Sequence, residues 1–227
     1  MAALGLDARS ERWIKEGRGT GTGKDYRPWL TVRDSPSAGR SHRVWGFQAR
    51  RTHHLLSDIE FAAFFLFDRN PNVTDIREQY PLRFDDTLKI ATQAGIRHPG
   101  VRGRPQVISI DFVLDTKDQS RPQFAIQVKT SSDLAKPRTI EKLELERRYW
   151  EGKSVPWCLI TEKEMPKAIV SNIGSLYRAQ AARAEIEGLI EAAPLYRKFF
   201  QSIRHRPSHA LAKQPFKSWK TDRQRSG

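Results

Sequence analysis

Three residues of the chain have the types and spacing for joint chemistry: Asp111, Gln127 and Lys129. Asp111 sits in Ile110-Asp111-Phe112-Val113, and the other two belong to Ile126-Gln127-Val128-Lys129. Both pieces are short, apolar and β-branched, the pattern of buried strands. Side chains two apart on a strand share a face. Gln127 and Lys129 therefore point away from Phe124, Ile126 and Val128, and Asp111 points away from Ile110, Phe112 and Leu114. Residues 115–123 carry Lys117, Asp118, Gln119, Ser120, Arg121 and Pro122, a turn composition that predicts an antiparallel hairpin. Such a hairpin brings Asp111, Gln127 and Lys129 onto one face. A carboxylate, an amide oxygen and a lysine at strand ends are the parts of metal-assisted phosphodiester hydrolysis. Mg2+ takes hard oxygen ligands, typically one or two carboxylates completed by phosphate oxygens and water. Asp111 offers the first carboxylate, and Gln127 and the peptide carbonyl of Val128 offer neutral oxygens. Glu60 adds a second carboxylate if its helix packs across the end of the sheet. Lys129 would lie beside the scissile phosphate or the attacking water, stabilising developing negative charge or helping to deprotonate the nucleophile. The same residues suit an ordinary hairpin with a solvated face, so spacing alone leaves both readings open.

The elements that must position these residues follow from the flanking text. Ser57-Asp58-Ile59-Glu60 is a capping box, with Leu56 and Phe61 as a hydrophobic staple. Ile59, Ala62, Ala63 and Leu66 have helical spacing, and Asn70-Pro71-Asn72 ends the helix. Glu60 thus has a sufficient structural task beside the metal one. Residues 73–82 predict a strand, and 83–106 a loop or short helix rich in turns. A second helix is capped by Thr139, with Ile140, Leu143, Arg147 and Trp150 on one stripe. Glu141, Glu144 and Glu146 near its start suit the helix dipole, so Glu146 is expected at the surface. Residues 156–160 predict a last strand. The order helix, strand, strand, strand, helix, strand is an α/β class, a small mixed sheet flanked by helices.

Composition narrows the partners. Forty lysines and arginines stand against 26 acids, a net charge of +14, which favours a polyanion, nucleic acid foremost. No apolar run approaches the ~20 residues that span a bilayer, and the N-terminus lacks a signal-peptide core. A cytoplasmic protein with no membrane partner is expected. The single cysteine, Cys158, excludes an internal disulfide and falls in a predicted buried strand. His205 and His209 have zinc-like spacing without a nearby cysteine. Residues 1–54 read as a basic, irregular N-terminal arm. Its Gly17, Gly19, Gly21 and Gly23 before Lys24 miss the phosphate-loop pattern at Arg18 and Asp25, which leaves a flexible linker. Arg40, Arg43, Arg50 and Arg51, interleaved with Trp45 and Phe47, are candidates to grip DNA backbone. The alternative is an extension whose aromatics pack on the core. His98, in a loop near the proposed site, is a further phosphate candidate. Residues 55–165 form the core domain, and 166–227 a short helical region with a basic tail.

Asp111 and Gln127-Val128-Lys129 resemble the PD-(D/E)xK nuclease motif, with glutamine replacing the usual acid. The wider text is more specific. Arg27-Pro28-Trp29-Leu30-Thr31-Val32-Arg33, Gly39-Arg40-Ser41-His42-Arg43, His53-His54-Leu55-Leu56-Ser57-Asp58-Ile59-Glu60, Asp75-Ile76-Arg77-Glu78-Gln79-Tyr80-Pro81-Leu82, Gly95-Ile96-Arg97-His98-Pro99 and Glu146-Arg147-Arg148-Tyr149-Trp150 resemble, in that order, the TnsA family. These are endonuclease subunits of heteromeric cut-and-paste transposases. The resemblance spans residues 25–165 and implies a restriction-endonuclease-like fold. It implies a catalytic set of Glu60, Asp111 and Lys129, with Gln127 at an Mg2+ ion that Mn2+ can replace. It implies cleavage at the 5′ ends of the transposon, while a DDE-type recombinase subunit cuts and joins the 3′ ends on transposon-end DNA. An ATP-dependent transposition regulator is the further implied partner, and the protein alone is expected to cleave little. The family's winged-helix domain has no full counterpart expected in residues 166–227. Two other functions stand beside this one. A non-catalytic DNA-binding or assembly module is favoured by Gln127 in place of an acid, and a stand-alone nuclease would be of resolvase or restriction type.

Overall fold

The expected hairpin is the spine of the molecule. In the computed structural model, which describes residues 5–34, 40–101, 103–165 and 172, strand β6 (Ser109–Thr116) pairs antiparallel with β7 (Gln123–Val128). Phe112 lies opposite Ile126 and Leu114 opposite Phe124. On one side β3 (Val73–Pro81) joins β6 antiparallel, and on the other β8 (Trp157–Ile160) joins β7 in parallel. The sheet order is therefore β3-β6-β7-β8. A parallel neighbour needs a crossover, which α4 (Pro137–Glu151) supplies between β7 and β8.

Helices cover both faces. Under α2 (Asp58–Asp68) lies a core of Phe64, Phe67, Ile76, Phe112, Leu114, Ile126 and Val128. Every residue of α2 from Glu60 to Asp68 is buried, so this helix is enclosed on all sides and its unbroken apolar text follows from that. Its outer cover is a small antiparallel hairpin, β1 (His42–Gly46) with β2 (Arg51–Leu55). The other face holds Leu82, Ile110, Val113, Leu143, Leu145, Tyr149 and Trp150 under α4 and α3 (Phe84–Ala94). A two-residue ribbon, β4 (Gly100–Val101) with β5 (Arg104–Pro105), follows α3. The fold is the mixed sheet flanked by helices that was expected.

Several local expectations are refined or corrected. For residues 83–106 the short-helix alternative is the one that holds: α3 takes up 11 of them and is closed by Gly95 at φ +64° in the left-handed C-terminal position. Helix α4 begins at Pro137, before Thr139; proline's fixed φ suits the first helical position. Ile110 packs with the α4 core while Phe112 packs under α2. The pleat is interrupted there: Gln79, across from Asp111 in the register, has φ +47°.

The larger correction concerns residues 5–34 and 40–54, which are folded against the sheet and do not form an irregular arm. Helix α1 (Ala8–Lys15) is capped by the Asp7 carboxylate, which accepts from the Arg9 and Ser10 N–H groups at 3.0 Å. Trp13 is buried edge-on to Trp29 at 5.2 Å, with Arg9 and Arg18 over its faces. Tyr26 stacks on Tyr80. The aromatics supply the burial that holds the segment down. Gly19 shows why glycine is needed: at φ +77°, its Cβ would fall 2.1 Å from Pro81 Cγ. Val44 and Leu55 share the α2 core, so no domain boundary falls at 54. The expected helical region and basic tail, 166–227, lie outside the described residues apart from Asn172. Among the described residues no helix is long and apolar enough to cross a membrane.

Candidate active site

The β6–β7 ladder stops at the Phe112/Ile126 pair, and beyond it side chains replace main-chain pairing. Gln127 Oε1 accepts from the Asp111 N–H at 3.2 Å, and Asp111 Oδ2 accepts from the Val128 N–H at 2.8 Å. Strand β7 continues in register with β8 as far as Val128 and Ile160, and the Lys129 N–H then donates to the Ile160 carbonyl at 3.0 Å. The splayed strand end thus creates a recess with Asp111 fixed at its base. Lys129 Nζ donates to Asp111 Oδ2 at 3.3 Å and to the Val128 carbonyl at 2.9 Å.

Glu60 reaches the same recess from the first turn of α2. The capping box forms, in a modified way. Ser57 Oγ accepts from the Glu60 N–H at 3.2 Å and donates to Glu60 Oε1 at 2.8 Å, while Oε2 accepts from the Leu56 N–H at 2.9 Å. The carboxylate is therefore held by the cap and faces inward at once. Gln79 joins the two acids: its Nε2 lies 3.3 Å from Glu60 Oε2 and 3.4 Å from Asp111 Oδ1. Ser109 Oγ donates to the Gln79 side-chain oxygen at 3.2 Å, and the Trp29 N–H to its main-chain oxygen at 3.1 Å.

Two carboxylates so placed resist joint ionisation. Burial, with the Asp111 charge beside it, pushes Glu60 up to about 7. The expectation for Glu146 is overturned. Its side chain is buried, and burial pushes it up to about 8, opposed by the Lys129 charge and reinforced by Asp111. Glu146 Oε2 has no hydrogen-bond partner among the described residues. Helix α4 turns this position inward, beside the buried Leu143, Leu145, Tyr149 and Trp150. Burial opposes the charge on Lys129, yet Asp111, Glu146 and Glu60 together outweigh it and hold the ammonium above the usual lysine range.

Sequence reasoning missed Gln79 and Glu146. For Gln79 no signal was available, because its role comes from a left-handed backbone in the middle of a strand. For Glu146 the signal is present in the sequence: Leu143 and Trp150 lie on its own face of the helix, at i−3 and i+4, but a stripe drawn through Arg147 misses it and assigns the glutamate to the helix dipole.

The donor set suits a hard cation. Asp111 and Glu60 supply carboxylate oxygens and Val128 a carbonyl, and the Lys129 ammonium already lies against Asp111 and that carbonyl. Gln127 is the expected ligand that turns elsewhere, its oxygen facing the Asp111 amide. Among the described residues no group of three or more His, Cys, Asp or Glu side chains forms a ready metal cage.

A family model described as the TnsA-like endonuclease N terminal matches residues 70–162, which include Gln79, Asp111, Gln127, Lys129 and Glu146. The Transposon Tn7 transposition protein TnsA of Escherichia coli is 51% identical over 184 residues, 81% of this chain and 67% of that protein. The chain belongs to the TnsA family. Membership in the TnsA family carries the coarse function with it, an endonuclease of DNA transposition.

The residues expected to touch DNA divide. Arg51 is withdrawn from that role. It is buried, and its guanidinium is bound to Glu78 and to the Ile76 carbonyl. His98 is withdrawn as well: its ring nitrogens meet the Pro99 carbonyl at 2.9 Å and Thr87 Oγ1 at 3.0 Å. Arg43 and Arg50 are exposed near Trp45 and Phe47, which are 54% and 47% exposed. Arg40, also exposed, lies 3.4 Å from Asp58.

Proposed function

We propose that this chain is the metal-dependent endonuclease subunit of a heteromeric transposase and cleaves at the 5′ ends of the transposon during excision. The observation that carries the reading is the convergence of Asp111, Glu60 and Lys129 at the open end of β6 and β7. Asp111, Glu60 and the Val128 carbonyl would hold Mg2+ or Mn2+, and Gln127 would seat Asp111. Bound there, the ion would polarise the scissile phosphate and supply a metal-activated water as nucleophile. Lys129 stays charged at neutral pH, so its part is to stabilise the negative charge that develops on the phosphate. That leaves proton acceptance to a group titrating near the working pH, and Glu146 beside Lys129 is the better placed.

The TnsA relationship supports transposon-end DNA as substrate, a DDE-type recombinase as partner, and an ATP-dependent regulator as the further component. Cleavage by the isolated protein is expected to be weak. A non-catalytic assembly module is the second reading, favoured by the single fact that Gln127 brings no negative charge to the site. End-mapping on labelled transposon-end DNA, with the recombinase and regulator present, separates the two. Breaks at the 5′ ends that need Mg2+ or Mn2+ and disappear with chelator are the expected result. Breaks confined to the 3′ ends would leave the assembly module standing.

Gln79 is expected to position both carboxylates. Supporting groups of this kind are worth about 10–100-fold in metal affinity or activity. Gln79→Gly removes the amide but relieves the left-handed backbone. It should retain the native melting temperature and bind Mn2+ about tenfold more weakly by calorimetry. Unchanged Mn2+ affinity would reduce Gln79 to a backbone feature.

A further inference from the structure

A cleft of about 550 Å3 opens between the glycine-rich segment and β2, and the chemistry above does not use it. Its walls carry Arg18, Lys24, Arg27, Arg51 and His54 against one acid, Glu16. Two of these cations are already matched, Arg18 by Asp34 at 2.6 Å and Arg51 by Glu78. Two cations, Lys24 and Arg27, and the neutral His54 ring are available as donors. Lys24 is exposed and forms no ion pair among the described residues. Arg27 is exposed and donates through Nη1 to the Glu16 carbonyl at 2.9 Å, a contact that orients the guanidinium without neutralising it. His54 accepts the Val32 N–H at Nδ1, 3.4 Å away, so its own proton sits on Nε2 as a donor. Burial, with Arg43 and Arg51 nearby, holds the His54 pKa down.

The floor of the cleft is bonded to β3, the strand that carries Gln79. Tyr26 on its floor donates its hydroxyl to the Glu78 carbonyl at 3.0 Å. Trp29, three residues further, donates its N–H to the carbonyl of Gln79, the residue that bridges Glu60 and Asp111. The glycine segment itself cannot cradle a nucleotide phosphate in the manner of a phosphate loop. The amides of Gly17, Arg18 and Gly19 are bonded to the carbonyls of Ile14, Trp13 and Arg27, and that of Gly23 to Asp75. Side-chain donors in an open groove fit a phosphodiester chain passing through, because each contact neutralises one phosphate without enclosing it.

We propose that this cleft grips the sugar-phosphate backbone of the DNA strand that runs to the Asp111 site. The inference rests on the nuclease reading, and its test is kept apart from cleavage. The full chain, in chelator, is titrated against a fluorescent duplex spanning a transposon end and its flank, by anisotropy over a range of salt. Lys24→Glu/Arg27→Glu is compared with Lys89→Glu/Lys117→Glu, an equal charge change at exposed positions on α3 and on the β6–β7 turn. Melting temperature is recorded for both. The cleft variant should bind at least about tenfold more weakly near 0.1 M salt, with the slope of log K against log salt smaller by about two. The control should keep the native slope. Adenosine monophosphate in millimolar excess should not displace the duplex.

Equal losses in the two variants would show bulk charge alone and overturn the cleft. Displacement by the mononucleotide would make it a free-anion site, also against the proposal. No DNA binding by the native protein would overturn the cleft, whereas the nuclease reading is overturned only by the absence of 5′-end breaks with the recombinase and regulator present. Native binding and metal-dependent cleavage, both unaltered by the cleft variant, would overturn the cleft alone.

Discussion

Asp111→Asn is expected to abolish 5′-end cleavage, by at least about 10^3-fold, the scale of several kcal/mol of lost transition-state stabilisation. Asparagine is the informative replacement. It keeps an oxygen to accept from the Val128 N–H, which Asp111 Oδ2 holds at 2.8 Å. Alanine would orphan that buried donor at a cost of about 1–3 kcal/mol and confuse chemistry with folding. Full 5′-end activity in Asp111→Asn would remove this residue from the site. The metal-free protein gives a second reading of the same variant. Glu60 and Glu146 titrate near 7 and near 8 in the folded state, against about 4.3 in an unfolded chain. Between those values the folded state binds more protons than the unfolded state, so stability falls as pH rises from about 4.5 to about 8. Removing the Asp111 charge withdraws one cause of both shifts. Urea unfolding of metal-free Asp111→Asn should therefore show a shallower decline over that interval. A decline as steep as the native one would mean that burial alone sets both values.

How much of this was legible in the sequence depended on whether a residue's role is local. The hairpin, the α2 cap and the final strand are local patterns, and alternation alone brought Asp111, Gln127 and Lys129 to one strand end. Glu60 in the recess needed the family resemblance, since its capping box is complete without a metal. Gln79 and Glu146 are set by tertiary placement: one by an interrupted pleat, the other by the helix face that α4 presents to the sheet. The N-terminal segment misled for a compositional reason. Glycines alternating with arginine, threonine and lysine usually mark a solvated linker, but here Trp13, Tyr26 and Trp29 are buried, and the glycines permit the tight path that lays them against β3. Arg51 shows the limit of charge reading most clearly. A basic cluster looks the same in sequence whether its members face phosphate or a buried glutamate.

Glu78→Gln is expected to destabilise the fold by about 3–5 kcal/mol, the usual cost of removing one partner from a buried ion pair. Glu78 is fully buried in the middle of β3. Its oxygens accept from Arg51 Nη1 at 2.8 Å and from Arg51 Nη2, meet His53 Nδ1 at 2.8 Å, and accept from the His54 N–H at 3.1 Å. Glutamine keeps the shape and loses the charge, leaving the Arg51 guanidinium buried without a counterion. For a chain of this size the melting temperature should fall by roughly 10 °C. Arg51→Met combined with Glu78→Gln should recover much of the loss, because the stranded cation is gone. A double variant no better than the single one would place the stability elsewhere in the network. Burial opposes ionisation of Glu78, but His53 and Arg51 outweigh it and hold the carboxyl far below the usual range. Its contribution is therefore complete above the ordinary glutamate value and is lost as pH falls below about 4.3. The two limbs run in opposite directions, acid loss from Glu78 and alkaline loss from Glu60 and Glu146. In the metal-free protein these groups place the stability maximum at about pH 4, just below the unfolded glutamate value. Glu78→Gln should flatten the acid limb only, and a metal ion held by Asp111 and Glu60 should lift the alkaline limb only. The network also bears on the site, since Glu78 adjoins Gln79. Through Arg51 and His53 it fixes β2, at whose end Leu56 donates to Glu60. A protein that has lost this pair should cleave poorly even where it remains folded, with the defect appearing as weaker Mn2+ binding before it appears as lost chemistry.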